Sequence, residues 1–212
     1  MEYTIAYFIA SLAALADSFF VFANIVLLTF IAGALVKFAD DLSDGRIKAD
    51  ARVAYALALA YGLLLGVVLS LKTETMTWGL AVVAAVLVYG KVDKAHQFGV
   101  AAIIAALAFL GIPEIEFPLF AAFLLCAVLD EALSDRGDRA EKRGEETNAL
   151  VKFALGSRLL LPLACIIAGF ALGKYIYIVA MAGFEIGYVI AAGAPALLKE
   201  KKKWPAGANA GK

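Results

Sequence analysis

Seven apolar runs account for most of this chain, and their lengths match a lipid bilayer better than a water-soluble core. They fall at about Tyr3–Phe38, Val53–Leu71, Met76–Tyr89, Phe98–Ile112, Phe117–Leu129, Leu150–Leu172 and Tyr175–Leu198. A hydrocarbon core of ~30 Å takes about 20 apolar residues per helix, and the shorter runs span by tilting or by adding amphipathic ends. Hydrophobic residues make up 63% of the 212, and the mean hydropathy is +0.86, values that exclude an ordinary soluble domain. The expected fold is all-α: a polytopic transmembrane helical bundle of about seven to eight helices with two acidic cytoplasmic motifs. We expect one membrane domain over residues 1–198 and a basic, flexible tail over 199–212.

The first run is too long for a single upright span. As one helix, Tyr3–Phe38 would extend about 50 Å at 1.5 Å per residue. Asp17-Ser18 offers an N-cap in its middle, so the sequence favours a short helix Tyr3–Ala16 and a full span Phe19–Phe38, with one long tilted helix as the alternative. Gly90, Gly111-Ile112-Pro113 and Gly173-Lys174 separate later spans. Cys126 and Cys165 lie inside apolar runs and read as small packing residues. The N-terminus has no basic stretch before its apolar run and no small-residue cleavage site, so the first run reads as retained.

Charge is bunched although the formal net charge is zero. One cluster reads Asp40-Asp41-Leu42-Ser43-Asp44-Gly45-Arg46, and a second reads Asp130-Glu131-Ala132-Leu133-Ser134-Asp135-Arg136-Gly137-Asp138-Arg139. Two spans separate the first cluster from the Tyr89–His96 loop, and two more separate that loop from the second. All three therefore share one side, which also carries the C-terminal tail and every Lys and Arg except Lys72 and Lys174. The positive-inside rule makes that side cytoplasmic, in a multi-pass protein of the cell membrane.

Carboxylates gathered at a bilayer surface are costly unless a cation or ligand compensates them. Asp41, Asp44 and Lys48 fall at i, i+3 and i+7, and Glu131, Asp135 and Asp138 at i, i+4 and i+7, one helix face each. Mg²⁺ is held by a few carboxylates, several waters and ligand phosphate oxygens rather than by an all-protein cage. Candidate metal ligands are Asp40, Asp41, Asp44, Glu131, Asp135 and Asp138. Lys48, Tyr89, Lys91, Lys94, Arg136, Arg139 and Arg143 are candidates for a substrate diphosphate. Asn24 reads as a polar contact between helices, and Glu185 as an intramembrane acid that either meets substrate or pairs with a neighbour. His96, the single histidine, reads as a solvated loop residue, and it excludes a multi-histidine metal site.

These motifs resemble those of the UbiA-type intramembrane prenyltransferases. That family carries N-D-x-x-D-x-x-x-D after its second helix and D-x-x-D-x-x-G-D or similar after its sixth. Asp40-Asp41-Leu42-Ser43-Asp44 fits the first, with Asp in the Asn position. Asp135-Arg136-Gly137-Asp138, followed by Gly144 and Thr147, fits the end of the second and its downstream G-x-x-T. Tyr89-Gly90-Lys91-Val92-Asp93-Lys94 is loosely similar to the family's Tyr-to-Lys loop, and four spans separate the acidic motifs in both. The chain departs at Lys48, where the family has a third aspartate, at Ala132, where an acid is usual, and in having a stunted first helix and no ninth.

The resemblance, which covers about Phe19 to Leu198, implies a Mg²⁺-dependent prenyltransferase. Asp41, Asp44, Asp135 and Asp138 would be its catalytic acids, holding Mg²⁺ against an isoprenyl diphosphate. The metal and basic residues would stabilise the departing diphosphate, and the allylic cation would be captured by an aromatic or glycerophosphate-type acceptor, membrane-soluble or cytosolic. The bilayer is the other expected partner, and no nucleic acid is.

Two other classes stand beside this one. Asp41-Leu42-Ser43-Asp44-Gly45 begins like the D-x-x-D-G-x-x-A-R motif of CDP-alcohol phosphotransferases, but Lys48 replaces its Ala, Arg52 is displaced, and no G-x-x-x-D-x-x-x-D follows. A non-enzymatic transporter or lipid-binding protein is the remaining class, and the repeated Leu-Ser-Asp is in keeping with a parallel internal repeat.

Overall fold

A computed structural model of the protein describes residues 2–47, 49–90, 92–143 and 158–202; within these, side chains are described between 18 and 193 except at 138 and 140–142. Among the described residues the chain is all-helical, with seven helices and no strand. They are α1 (Glu2–Ser43), α2 (Ala51–Leu71), α3 (Thr73–Val88), α4 (Lys94–Leu110), α5 (Phe117–Lys142), α6 (Leu160–Leu172) and α7 (Ile176–Lys202). Each matches one of the seven apolar runs. Four stretches are long and apolar enough to cross a membrane: Ser18–Ser43, Ala51–Leu71, Phe117–Gly137 and Ile176–Gly193. The helices α3, α4 and α6 are shorter, at 16, 17 and 13 residues.

One expectation about helix bounds is corrected. The first run is one continuous helix, so Asp17-Ser18 does not divide it. Ending and restarting a helix leaves up to eight backbone groups to be satisfied in hydrocarbon, more than one cap can offset. At the other terminus α7 runs through Lys202, so residues 199–202 extend that helix, and residues 203–212 lie outside the described residues.

α1 packs along α2 and α7, α2 also against α3 and α4, α3 against α5, and α6 between α5 and α7. The sequence α1–α2–α3–α5–α6–α7 therefore closes into a ring, with α4 laid against α2. Glycines let the closest helix pairs approach. On α7, a Cβ at Gly183 would meet Thr29 and Val26 of α1, and one at Gly187 would collide with the Phe30 carbonyl; Gly33 of α1 meets the Phe184 backbone in the same way. On α2, Gly62 and Gly66 face Gly99, Ala102, Ile103 and Ala106 of α4. Both are small-xxx-small stripes, the arrangement that lets apolar helices gain van der Waals contact in lipid, where the hydrophobic effect gives no drive between helices.

Buried residues form two clusters. One centres on Trp78, Phe123, Cys165 and Tyr177 between α3, α5, α6 and α7. The other centres on Ala58, Tyr61, Leu69 and Ile103 between α1, α2, α3 and α4. Large apolar side chains such as Phe19, Ile104, Phe109, Phe170 and Val189 face outward, as lipid contact requires. Asn24 is among the exposed residues of α1, so it is not the buried interhelical contact expected of it.

Candidate functional site

Successive helices run in opposite directions, so the C-terminal ends of α1, α3 and α5 and the N-terminal end of α4 meet at one end of the bundle. A cavity of about 530 Å³ opens there. Its mouth is polar, formed by Lys37, Asp40, Ser43, Asp44 and Arg46 from α1 and its turn, Asp93 and His96 at the start of α4, Glu131, Ser134 and Asp135 of α5, and Arg158. Its deeper wall is apolar and aromatic, with Leu65, Leu69, Trp78, Val82, Ile103 and Phe184.

The first acidic cluster is the last turn of α1. Lys37, Asp40 and Asp44 line the cavity at i, i+3 and i+7, whereas Asp41 does not line it. Asp41 is buried, 2.7 Å from Lys37 Nζ and 3.3 Å from Arg46 Nη1. Gly45 follows α1 at φ 69°, a left-handed conformation that costs glycine little. That turn brings Arg46 back over the helix end, where its other terminal nitrogen lies 3.2 Å from Asp44. The cavity-facing stripe therefore shares Asp44 with the Asp41/Asp44/Lys48 face read from spacing but takes Asp40 in place of Asp41; Lys48 itself lies outside the described residues.

The second cluster divides between structure and cavity. Asp130 is buried, and its two carboxylate oxygens accept hydrogen bonds from the backbone amides of Leu160 (3.0 Å) and Leu161 (2.8 Å). It thus caps the start of α6, whose own N-cap residue, Leu159, offers no side-chain acceptor. Glu131, also buried, lies 2.9 Å from Arg158. Asp135 lines the mouth, with Arg139 one turn on at 3.9 Å and donating from Nε to the Asp135 carbonyl. The Asp138 side chain falls outside those described, as do Gly144 and Thr147.

His96 is not the solvated loop residue expected from its surroundings in the sequence. It sits in the first turn of α4, ahead of the apolar stretch from Phe98, and its side chain is only 13% exposed. Nδ1 lies 2.8 Å from Asp93 Oδ1, and Nε2 lies 2.8 Å from Asp40 Oδ1, an ion-pair distance without in-line hydrogen-bond geometry. The Tyr188 hydroxyl donates to the other Asp40 oxygen at 3.1 Å. Asp40 of α1 is thereby tied to both α4 and α7. Burial presses the His96 ring toward neutrality, but the close Asp40 and Asp93 carboxylates outweigh it and raise its pKa from 6.5 to about 9. Partial burial pushes the Asp93 carboxyl up, and hydrogen bonds from the His96 amide and ring and from Ser43 together hold it below the ordinary aspartate value. The Asp93 contact is local, at i and i+3, but the Asp40 contact that helps bury the ring comes from α1, which no spacing within the segment reveals.

The remaining candidates sit farther out. Lys94, Arg136, Arg139 and Arg143 are exposed, Tyr89 is the half-buried C-cap of α3, and Lys91 lies outside the described residues. Lys37, Arg46 and Arg158, none of them a candidate ligand from the sequence, are basic groups set in the cavity wall. Behind the wall is a second, smaller cavity of about 50 Å³, bordered by Asp130, Glu131, Arg158 and Glu185 together with Trp78, Met181 and Phe184. At the far end of the bundle Lys174 pairs with Glu116, whose amide donates to Thr77 Oγ1 at 3.0 Å.

Among the described residues no three acidic, histidine or cysteine side chains converge closely enough to hold a metal ion by themselves. What the mouth offers is separated hard oxygen donors, Asp40, Asp44 and Asp135, with Lys37, Arg46 and Arg158 nearby. That donor set fits Mg²⁺ held chiefly by waters and ligand phosphate oxygens, and it does not fit a soft or all-protein metal centre. No protein-family model, curated protein or solved structure matches the chain.

Proposed function

We propose that the chain is a Mg²⁺-dependent intramembrane prenyltransferase that takes an isoprenyl diphosphate and an aromatic or glycerophosphate-type acceptor, with its acidic motifs and C-terminus cytoplasmic. The observation that carries this reading is the polarity of the cavity: acids and bases at the mouth, then an apolar wall closed by Trp78 and Phe184. A diphosphate joined to a hydrocarbon chain has the same polarity. Lys37, Arg46 and Arg158 supply positive charge to its head, and Leu65, Leu69 and Ile103 supply a dry wall for its tail.

Asp40, Asp44 and Asp135 would hold Mg²⁺, with Asp41, outside the cavity wall, left to position Lys37 and Arg46. When bound, the metal neutralises charge building on the leaving diphosphate. The chain's own residues do the rest. The basic residues fix the head at the mouth, and the aromatic side chains of Trp78 and Phe184 in the wall keep water from the carbon that becomes cationic.

A thermal unfolding experiment with Mg²⁺ and a non-hydrolysable geranylgeranyl diphosphate analogue tests the binding half. A ligand at a hundred times its Kd adds about 2.7 kcal/mol to native stability by mass action. The expected shift requires both components, and no shift at saturation counts against the reading. A non-catalytic lipid-binding role has one observation in its favour, since the mouth acids already have basic partners within 4 Å. In that case the analogue would bind and no prenyl transfer would follow.

A further inference from the structure

Transfer of an isoprenyl group to a hydroxyl or an aromatic ring releases one proton, and a group beside the reaction must take it. This inference rests on the prenyltransferase reading above. The mouth carboxylates are poorly suited to accept that proton. Asp40 is held between His96 and Tyr188, Asp93 by His96, Asp44 by Arg46, Asp135 by Arg139 and Glu131 by Arg158. A carboxylate already engaged by a cation or a donor must give up that contact before it can take a proton from an acceptor. Asp130 is no better placed, since both of its oxygens already accept the amides of α6.

Glu185 differs from all of these. It lies within the membrane-length stretch Ile176–Gly193 of α7, one turn before Tyr188, and it faces the interior of the bundle. Among the described residues no hydrogen bond or ion pair to its carboxylate is seen, although Asp130 and Arg158 border the same small cavity. An intramembrane acid without a fixed partner is expensive to keep and is a functional candidate for that reason. The small cavity it borders shares Trp78, Phe184 and Arg158 with the main cavity, so the carboxylate stands behind the wall that encloses the isoprenyl chain. At about 50 Å³ this space admits a few waters, each needing roughly 10–15 Å³.

We propose that Glu185 is the proton acceptor of the transfer, acting directly or through one water in the small cavity. The bond between the first isoprenyl carbon and the diphosphate oxygen breaks, and its electron pair leaves with the diphosphate. The acceptor's hydroxyl oxygen or ring carbon supplies the pair for the new bond to that carbon. The proton lost from the same acceptor atom passes to the Glu185 carboxylate and from there to the water-accessible mouth beside Arg158. Nothing is oxidised or reduced.

The test compares wild type with Glu185→Gln and Glu185→Asp, using labelled geranylgeranyl diphosphate, Mg²⁺ and a panel of aromatic and glycerophosphate acceptors. The thermal shift given by the non-hydrolysable analogue is measured alongside. General-base removal costs about 10²–10⁴-fold, so Glu185→Gln is expected to lose transfer by that factor with the analogue's shift unchanged. Glu185→Asp, which keeps the carboxylate but shortens it, is expected to fall in between. Transfer by Glu185→Gln at the wild-type rate overturns this inference and leaves the enzyme reading standing. Loss of the analogue's shift together with transfer also overturns it, because Glu185 would then serve binding or folding. Absence of transfer from wild type to every acceptor overturns the enzyme reading, and this inference with it.

Discussion

Replacing Asp130 by Ala isolates a role that its position in an acidic cluster conceals. The carboxylate is buried and accepts the amides of Leu160 and Leu161 at 3.0 and 2.8 Å. Alanine leaves both amides without an acceptor at the start of α6, where Leu159 cannot replace it. An orphaned buried donor costs about 1–3 kcal/mol, and loss of an ordinary N-cap about 0.5–2. Leu161 is buried and Leu160 only half-buried, so the buried amide carries nearly the full penalty and the other a fraction of it. The sum is about 2–4 kcal/mol, which for a chain of this size corresponds to roughly 4–16 °C in Tm. Asp130→Asn keeps one carbonyl oxygen as acceptor and should lose about half as much. Asp44→Asn, at an exposed site, should stay within about 0.5 kcal/mol and serves as the control. Thermal unfolding of the detergent-solubilised protein, checked by denaturation in mixed micelles, reads all three. An Asp130→Ala protein as stable as the Asp44→Asn control would refute the capping assignment.

Two further perturbations probe the helix ring and the mouth. Gly187→Leu would drive a side chain into the Phe30 backbone, which cannot yield as a side chain can; a loss of at least the ~1–3 kcal/mol typical of overpacking is expected, seen as lowered Tm, and an unchanged Tm would mean that α1 and α7 are not in close contact. The His96 contacts predict a pH dependence: its pKa is raised from 6.5 to about 9 in the folded protein, so its stabilising contribution is complete below the lower value and lost as pH rises through the upper one. The lowered Asp93 acts oppositely, contributing above its ordinary value and losing that contribution as pH falls through its folded one. Wild type should therefore lose stability across the alkaline interval relative to His96→Gln, and parallel Tm–pH curves for the two proteins would contradict the assignment.

Much of the architecture was legible in the sequence because hydrocarbon leaves a chain few options. Among the described residues a helix matches each of the seven apolar runs, and parity alone gathered Asp44, the Tyr89–His96 loop and Asp135 at one end. Rotation of each helix was not legible. Asp40 and Asp41 differ by about 100° around α1 at 3.6 residues per turn, and both fit an acidic stripe. Packing of Gly33 against α7 accompanies the orientation in which Asp40 faces the cavity and Asp41 meets Lys37. The Gly62/Gly66 and Gly183/Gly187 stripes were present as a signal for these close contacts. Asp130 and His96 needed the fold itself, because the groups that define them lie 30 and 56 residues away, at Leu160 and Asp40. The break expected at Asp17-Ser18 failed for a related reason: a local cap signal was outweighed by the need to keep backbone groups paired within the helix.

The central claim is that the cavity transfers isoprenyl groups through its mouth acids. It is tested most directly by following label from geranylgeranyl diphosphate into extractable product, with Mg²⁺, for wild type, Asp44→Asn and Asp135→Asn. Wild type is expected to show Mg²⁺-dependent transfer, and each folded variant a loss on the order of 10²-fold or more, the scale at which a charge-stabilising group acts in catalysis. Undiminished transfer in both variants, or no transfer by wild type to any acceptor, would contradict the claim.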